Sequence, residues 1–204
     1  VLTVATLLWD PNENSAEFSR CYNETWVEKL HAGFRRHLAR PFRFVVFTDR
    51  DRDFSGGISQ RRLTSATPGY GDCIEPYRLD SPMILVGLDT IVTGDVGHLA
   101  DYCLTADRIA LPLDPFKPSR VCNGVALVPA GQAGLWQNWR GENDMEYLRA
   151  QPHAIIDTLW PGHVASYKCH VRRDGLADAR LVYFHGHEKP HELRADWIAQ
   201  HWKV

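Results

Sequence analysis

Ten consecutive residues late in the chain, Val182-Tyr183-Phe184-His185-Gly186-His187-Glu188-Lys189-Pro190-His191, concentrate side chains that handle phosphate and metal ions. Imidazoles ligate cations, an ammonium meets a phosphate, and a glycine lets backbone amides turn toward an anion. Placed at the end of a strand-forming stretch, this run points to a diphosphate site; a surface turn that happens to be rich in histidine is the plainer alternative. A second chemical feature lies far upstream, in Met83-Ile84-Leu85-Val86-Gly87-Leu88-Asp89-Thr90-Ile91-Val92-Thr93-Gly94-Asp95. It opens as an apolar, branched run of the kind buried on both faces of a parallel sheet, then sets one carboxylate among apolar residues. A buried Asp89 needs a cation, a set of backbone donors or a seat facing solvent. Strand ends of this kind are where open α/β sheets bind ligands, although an Asp that merely caps the next turn fits the same residues.

The elements that must position these groups follow from the apolar pattern. Val1 to Trp9 reads as a first core strand, broken by Asp10-Pro11-Asn12-Glu13-Asn14. Ser15 caps an expected helix in which Phe18, Tyr22, Trp26, Leu30, Phe34 and Leu38 recur at intervals of four, ending at Pro41. Phe42 to Thr48 is a second strand, completing a βαβ unit. The polar stretch Asp51 to Gly71 reads mostly as a loop or flap near the ligand, with a β-prone piece around Leu63. Further on, Cys73–Leu79 and Val96–Leu104 read as short helices, Arg108–Leu111 as an edge strand, and Leu113–Ser119 as an irregular connection. Val121–Val128 is a buried strand interrupted by Gly124, a bulge or a pocket floor. Gln132–Trp139 and Asn143–Ala150 look helical, Val164–His170 and Leu181–His185 are short strands, and Glu192–Trp202 is a terminal amphipathic helix. The sum is one mixed α/β domain over residues 1–204, with helices on both faces of a central, mostly parallel sheet.

Composition narrows the class. A chain of 204 residues with net charge −2 has no basic excess for nucleic acid or an acidic membrane surface. Its five cysteines, Cys21, Cys73, Cys103, Cys122 and Cys169, show no C-x-x-C spacing, which favours reduced thiols and a cytoplasmic setting over a disulfide scaffold. No apolar run approaches the roughly eighteen residues of a membrane span, so no transmembrane segment is expected, and the N-terminus lacks a signal peptide's basic lead. The sequence does not begin with Met, which leaves room for a trimmed targeting segment.

Nearly the whole chain resembles the GT-A fold glycosyltransferases, specifically the retaining glycogenin-like and bacterial galactosyltransferase-like group. Gly87-Leu88-Asp89-Thr90-Ile91-Val92 is similar to that family's D-x-D-T-x-V motif, and Cys122-Asn123-Gly124 to its N-S-G-like strand opening. Glu142-Asn143-Asp144 is similar to its D-Q-D helix start. Tyr183-Phe184-His185-Gly186-His187-Glu188-Lys189-Pro190-His191 is similar to H-F-x-G-x-x-K-P-W, the most specific match because glycine, lysine and proline all keep their spacing. The resemblance implies transfer of a hexose, with retention, from a nucleotide-diphosphate sugar, a UDP-sugar in this group, to a saccharide, lipid or protein acceptor. It further implies that Thr6, Leu7 and Leu8 with Asn123 and Gly124 hold the donor, and that Gly186 and Lys189 meet the diphosphate. Asp89 and His185 would ligate Mn²⁺ or Mg²⁺, and Asp144 with Asn143 would stand beside the sugar as the catalytic pair.

Two departures stand out. The first acid of D-x-D is Gly87, and the family's ligating histidine falls at Tyr183, with His185 two residues on and about 6.6 Å along the same strand face. These changes keep a catalytically degenerate nucleotide-sugar-binding protein in contention. A sugar nucleotidyltransferase would need a Gly-rich basic loop after the first strand, and Asp10–Asn14 has neither glycine nor base.

Overall fold

Apolar continuity makes β1 (Leu2–Leu8) the centre of the sheet: all but one of its residues are buried, as a strand covered by helices on both faces requires. The computed structural model describes residues 1–204. The chain then turns through Glu17–Ser19, a single 3₁₀ turn, and enters α1 only at Glu24, running to His37. Asn23 caps it by accepting the Thr25 amide at 3.0 Å. The helix therefore starts eight residues later than expected, capped by Asn23 and not by Ser15. The Ser15 hydroxyl serves the loop instead, accepting the Asn12 amide at 3.1 Å and the Trp9 indole at 3.2 Å. Phe18 and Tyr22 share the interval of four but lie off the helix.

Within α1, Trp26, Leu30 and Phe34 form the buried stripe, with Phe34 fully enclosed. Enclosing a side chain of that size contributes about 2 kcal/mol or more. Gly33 lets the helix sit close to the sheet, since a Cβ there would lie 3.2 Å from the Val92 side chain.

Beyond α1 come β2 (Phe42–Thr48) and β3 (Ile58–Arg62), each parallel to the strand before it in the sheet. β3 is the β-prone piece expected around Leu63, shifted to the residues just before it: a polar edge strand in a stretch that is otherwise loop. The chain returns through a 3₁₀ segment, Tyr70–Leu79, to β4 (Met83–Val86), which pairs parallel with β1, and then to β5 (Thr90–Val92), which leaves that sheet. Next follow α2 (Gly97–Thr105), β6 (Ile109–Leu111), β7 (Val125–Val128), α3 (Ala133–Asn138), α4 (Asp144–Arg149) and β8 (His153–Ile155). The large sheet has the order β3-β2-β1-β4-β7-β6-β8, with β7 alone reversed. β6 is thus interior rather than the predicted edge, and β7 begins at Val125, later than predicted.

A second, three-stranded sheet, absent from the sequence reading, joins β5 to β10 (Leu181–Tyr183) and β9 (Val164–Ser166). The stretch after β9 is a π-helical turn, Tyr167–Val171, not a continuation of the strand. The terminal helix is shorter than predicted, covering Asp196–His201 behind a 3₁₀ turn at Pro190–Glu192. Helices do cover both faces of the large sheet: Leu2, Val4, Ile84 and Val86 pack with Trp26, Phe34 and Leu99 on one side. Ala5, Met83 and Leu85 pack with Tyr77, Leu135 and Leu148 on the other.

Candidate functional site

From β1 the chain winds outward one way through β2 and β3, and from β4 the other way through β7, β6 and β8. The carboxyl ends of β1 and β4 are therefore the switch point at which an open α/β sheet leaves a crevice. A cavity of about 320 Å³ occupies it. Leu7, Leu8 and Trp9 supply the end of β1, Leu85 to Asp89 the end of β4 and its turn, and Asn123 with Ala126 the approach to β7. Asp144, Met145 and Leu148 of α4, Phe18, Tyr22 and Tyr70 of the connections, and Phe184, His185, Gly186 and Lys189 after β10 close the walls.

Asp89 sits in the tight turn that carries the chain from one sheet to the other, with the Thr90 amide donating to the Gly87 carbonyl at 3.1 Å and the Gly87 amide to the Gly124 carbonyl at 3.2 Å. Its carboxylate is nearly buried and is answered by two donors on Oδ2: the Lys189 ammonium and the Tyr22 hydroxyl, the latter at 2.7 Å. Lys189, only 2% exposed, also lies over the faces of Phe18 and Tyr22, 4.9 and 5.4 Å from their centroids. The cation that the buried acid required is thus the protein's own lysine. Burial and the Asp89 charge push the Tyr22 phenol far above its ordinary range, so it remains a donor.

The metal set expected from the resemblance does not assemble. His185 stands in the cavity wall, but its Nε2 is engaged with the Ser166 hydroxyl at 2.8 Å, and burial, aided by Lys168, pulls its proton affinity down. Tyr183 is buried against Gly124, where a Cβ would approach the ring to 2.9 Å, and its hydroxyl accepts from the Cys122 thiol at 3.8 Å. No three His, Cys, Asp or Glu side chains converge on one point. A hard divalent cation wants several oxygen ligands, and here one half-used carboxylate is offered beside an ammonium. The residues present do not fit the ion, because Lys189 already balances Asp89.

On the opposite wall, Asn123 donates to the Asp144 carboxylate at 2.5 Å. Asp144 is 7% exposed, and burial raises its carboxyl above the usual carboxylate range despite that hydrogen bond. Asn143 is not part of this wall. Its side chain caps α4 by accepting the Glu146 amide at 3.1 Å. Thr6 is likewise displaced: it is fully buried within the sheet, its hydroxyl without a partner. Gly124 lies beneath the Tyr183 ring rather than on the cavity surface.

Three residues of the cavity wall, and a lysine just outside it, lie beyond those expectations. The interval of four places Tyr22 and Phe18 on a helix face, whereas both line the cavity from the connection after β1. The Tyr77 hydroxyl is buried in the cavity wall with no hydrogen-bond partner. Lys168, inside a segment read as strand, brings its ammonium to 3.4 Å from where a Cβ on Gly186 would sit. Cys73 also lines the cavity, but burial and the nearby Asp144 and Asp72 carboxylates keep its thiol protonated, which disfavours a nucleophilic role.

Comparison with known proteins bears on the scaffold. No protein-family model and no curated protein matches the sequence. Among solved structures, the chain is similar to the glycosyltransferase GlyE of Streptococcus pneumoniae TIGR4, with a TM-score of 0.57 and 13% identity over 95% of this chain and 56% of that one. It is similar to the bifunctional glycosyltransferase WbbM, with a TM-score of 0.60 and 12% identity over 93% of this chain and 46% of that one. A third is the galactosyltransferase LgtC, solved with donor and acceptor sugar analogues, at a TM-score of 0.57 and 10% identity over 99% of this chain and 97% of that one. The fold is therefore that of GT-A glycosyltransferases, and the chain spans about half the length of the first two.

Proposed function

We propose that this domain transfers a hexosyl group from a nucleotide-diphosphate sugar, a uridine one, to a saccharide, lipid or protein acceptor with retention of anomeric configuration. The observation that carries the reading is the cavity at the sheet's switch point, which joins a wall where the Lys189 ammonium is paired with Asp89 beside the Gly186 turn to one where the Asp144 carboxyl meets Asn123. A sugar diphosphate has that polarity, anionic at one end and rich in hydroxyls at the other. Leu7, Leu8 and Trp9 are the apolar residues nearest the end of β1, suited to an aromatic base.

In this reading the bond between the anomeric carbon and the β-phosphate oxygen breaks with its electron pair going to the phosphate. The acceptor oxygen bonds to the anomeric carbon, and its proton ends on the departing diphosphate. Lys189 meets the charge that develops on the leaving group, and Asp144 orients sugar hydroxyls and faces the positive charge developing at the anomeric carbon. The unpartnered Tyr77 hydroxyl offers a further hydrogen bond to the ligand.

A screen of nucleotide sugars for hydrolysis, with thermal unfolding in saturating UDP, ADP, GDP and CDP, tests this. A ligand that binds only the folded state raises the midpoint. UDP is expected to raise it and a UDP-sugar to be cleaved slowly; a response to the purine nucleotides alone would reject the uridine donor. One observation favours a second reading, a protein that binds the donor without turnover: Asp89 is already neutralised in the resting site. Affinity for UDP-sugars with no hydrolysis and no transfer to any acceptor would select it.

A further inference from the structure

The charges around Gly186 suit an anion better than a divalent ion. Asp89 and Lys189 cancel one another in a buried pair, and Oδ2 of that acid carries two donors already. The neighbour that would supply a second carboxylate is Gly87, and the nearby imidazole of His185 holds Ser166. A divalent cation entering here would have to displace an ammonium and would find one carboxylate oxygen in exchange. Lys168 makes no ion pair, unlike Lys189; it stands just outside the lining, its ammonium close to His185 and 3.4 Å from where a Cβ on Gly186 would sit, and Gly186, with a φ of +62°, makes a sharp turn in the cavity wall.

We propose that this domain binds its nucleoside diphosphate without a divalent cation, Lys168 and Lys189 together carrying the positive charge that a metal would supply. The inference rests on the cavity being a nucleoside-diphosphate site, as argued above. Asp89 is then a positioning residue: it holds Lys189 in the cavity wall between turnovers and shares it with the phosphate when the ligand arrives. As the anomeric bond breaks, the electron pair passes to a phosphate oxygen lying among ammonium groups instead of at a Lewis acid. Gly186 completes the arrangement because a side chain at its positive φ would be strained.

Calorimetric titration of UDP, then ADP, GDP and CDP, into the wild-type chain in EDTA, in Mn²⁺ and in Mg²⁺ tests the proposal. Affinity for the preferred nucleotide is expected to agree within about twofold between EDTA and either metal. Lys168→Met should lower it roughly tenfold in EDTA, the scale on which a charge-assisted hydrogen bond is lost, and Lys168→Arg should restore most of it, with circular dichroism verifying that both variants fold. Binding that appears only with Mn²⁺ or Mg²⁺ overturns the metal-free site while leaving the transferase reading in place. Binding to no nucleoside diphosphate in any buffer overturns both. Wild-type affinity of K168M in EDTA overturns the part given to Lys168 and with it the two-ammonium site.

Discussion

Tyr22 and Lys189 converge on a single oxygen of Asp89, the phenol from the connection after β1 and the ammonium from the segment after β10. The acid is thereby fastened to two distant parts of the chain. Tyr22→Phe removes one donor while the ammonium stays, so the expected loss is about 1 kcal/mol, read as a lower urea midpoint at unchanged slope. A loss above about 3 kcal/mol would mean that the phenol, not the lysine, is the acid's main partner.

Asp89→Asn and Lys189→Met each leave the other charge buried alone. Both are expected to destabilise by about 3 kcal/mol or more, and the double variant by clearly less than the sum. A double-mutant cycle measured by denaturation checks this; additive losses would show that the two charges do not interact in the folded protein.

Asp144 gives a pH signature. Burial raises its carboxyl in the folded state, so the native protein holds that proton when the unfolded chain has already lost it. The group is thus neutral for stability in acid and costs stability as pH rises from the ordinary aspartate value through its raised one. Asp144→Asn is therefore expected to equal or exceed the wild type in Tm at pH 7, with the gap shrinking toward pH 4, while losing most donor turnover. A variant less stable at pH 7 than at pH 4, relative to wild type, would contradict the raised carboxyl.

Gly124 and Tyr183 form a packing pair. A Cβ at position 124 would stand 2.9 Å from the ring of Tyr183, which is enclosed on its other sides. Gly124→Ala should cost about 1 to 3 kcal/mol by overpacking. Gly134→Ala, whose Cβ would meet nothing closer than 3.7 Å, should cost little and serves as the control in thermal melts.

The strands buried on both faces, β1, β2 and β4, were legible because a parallel sheet under helices demands uninterrupted apolar residues. β3, with the sequence Ile58-Ser59-Gln60-Arg61-Arg62, is legible only as a β-prone piece around Leu63, because an edge strand half open to solvent carries no such pattern. The three-residue strands of the small sheet are too short for periodicity to show. Asp89, Lys189 and Asp144 were each singled out from composition and motif, yet the ion pair between the first two was not, since nothing in linear spacing encodes a contact across the fold. Phe18 and Tyr22 were misassigned for a physical reason: an interval of four is also what two residues facing one cavity from a compact turn produce.

The partners of the central ion pair are separated by 100 residues. During synthesis Asp89 emerges from the ribosome well before Lys189, and the strand that carries the lysine into place, β10, pairs with β5 beside the acid. Until that late segment docks, the carboxylate lacks this cation and is best left hydrated. A nascent chain stalled before Lys189 would therefore carry every strand of the large sheet but lack the lysine that completes this wall of the pocket.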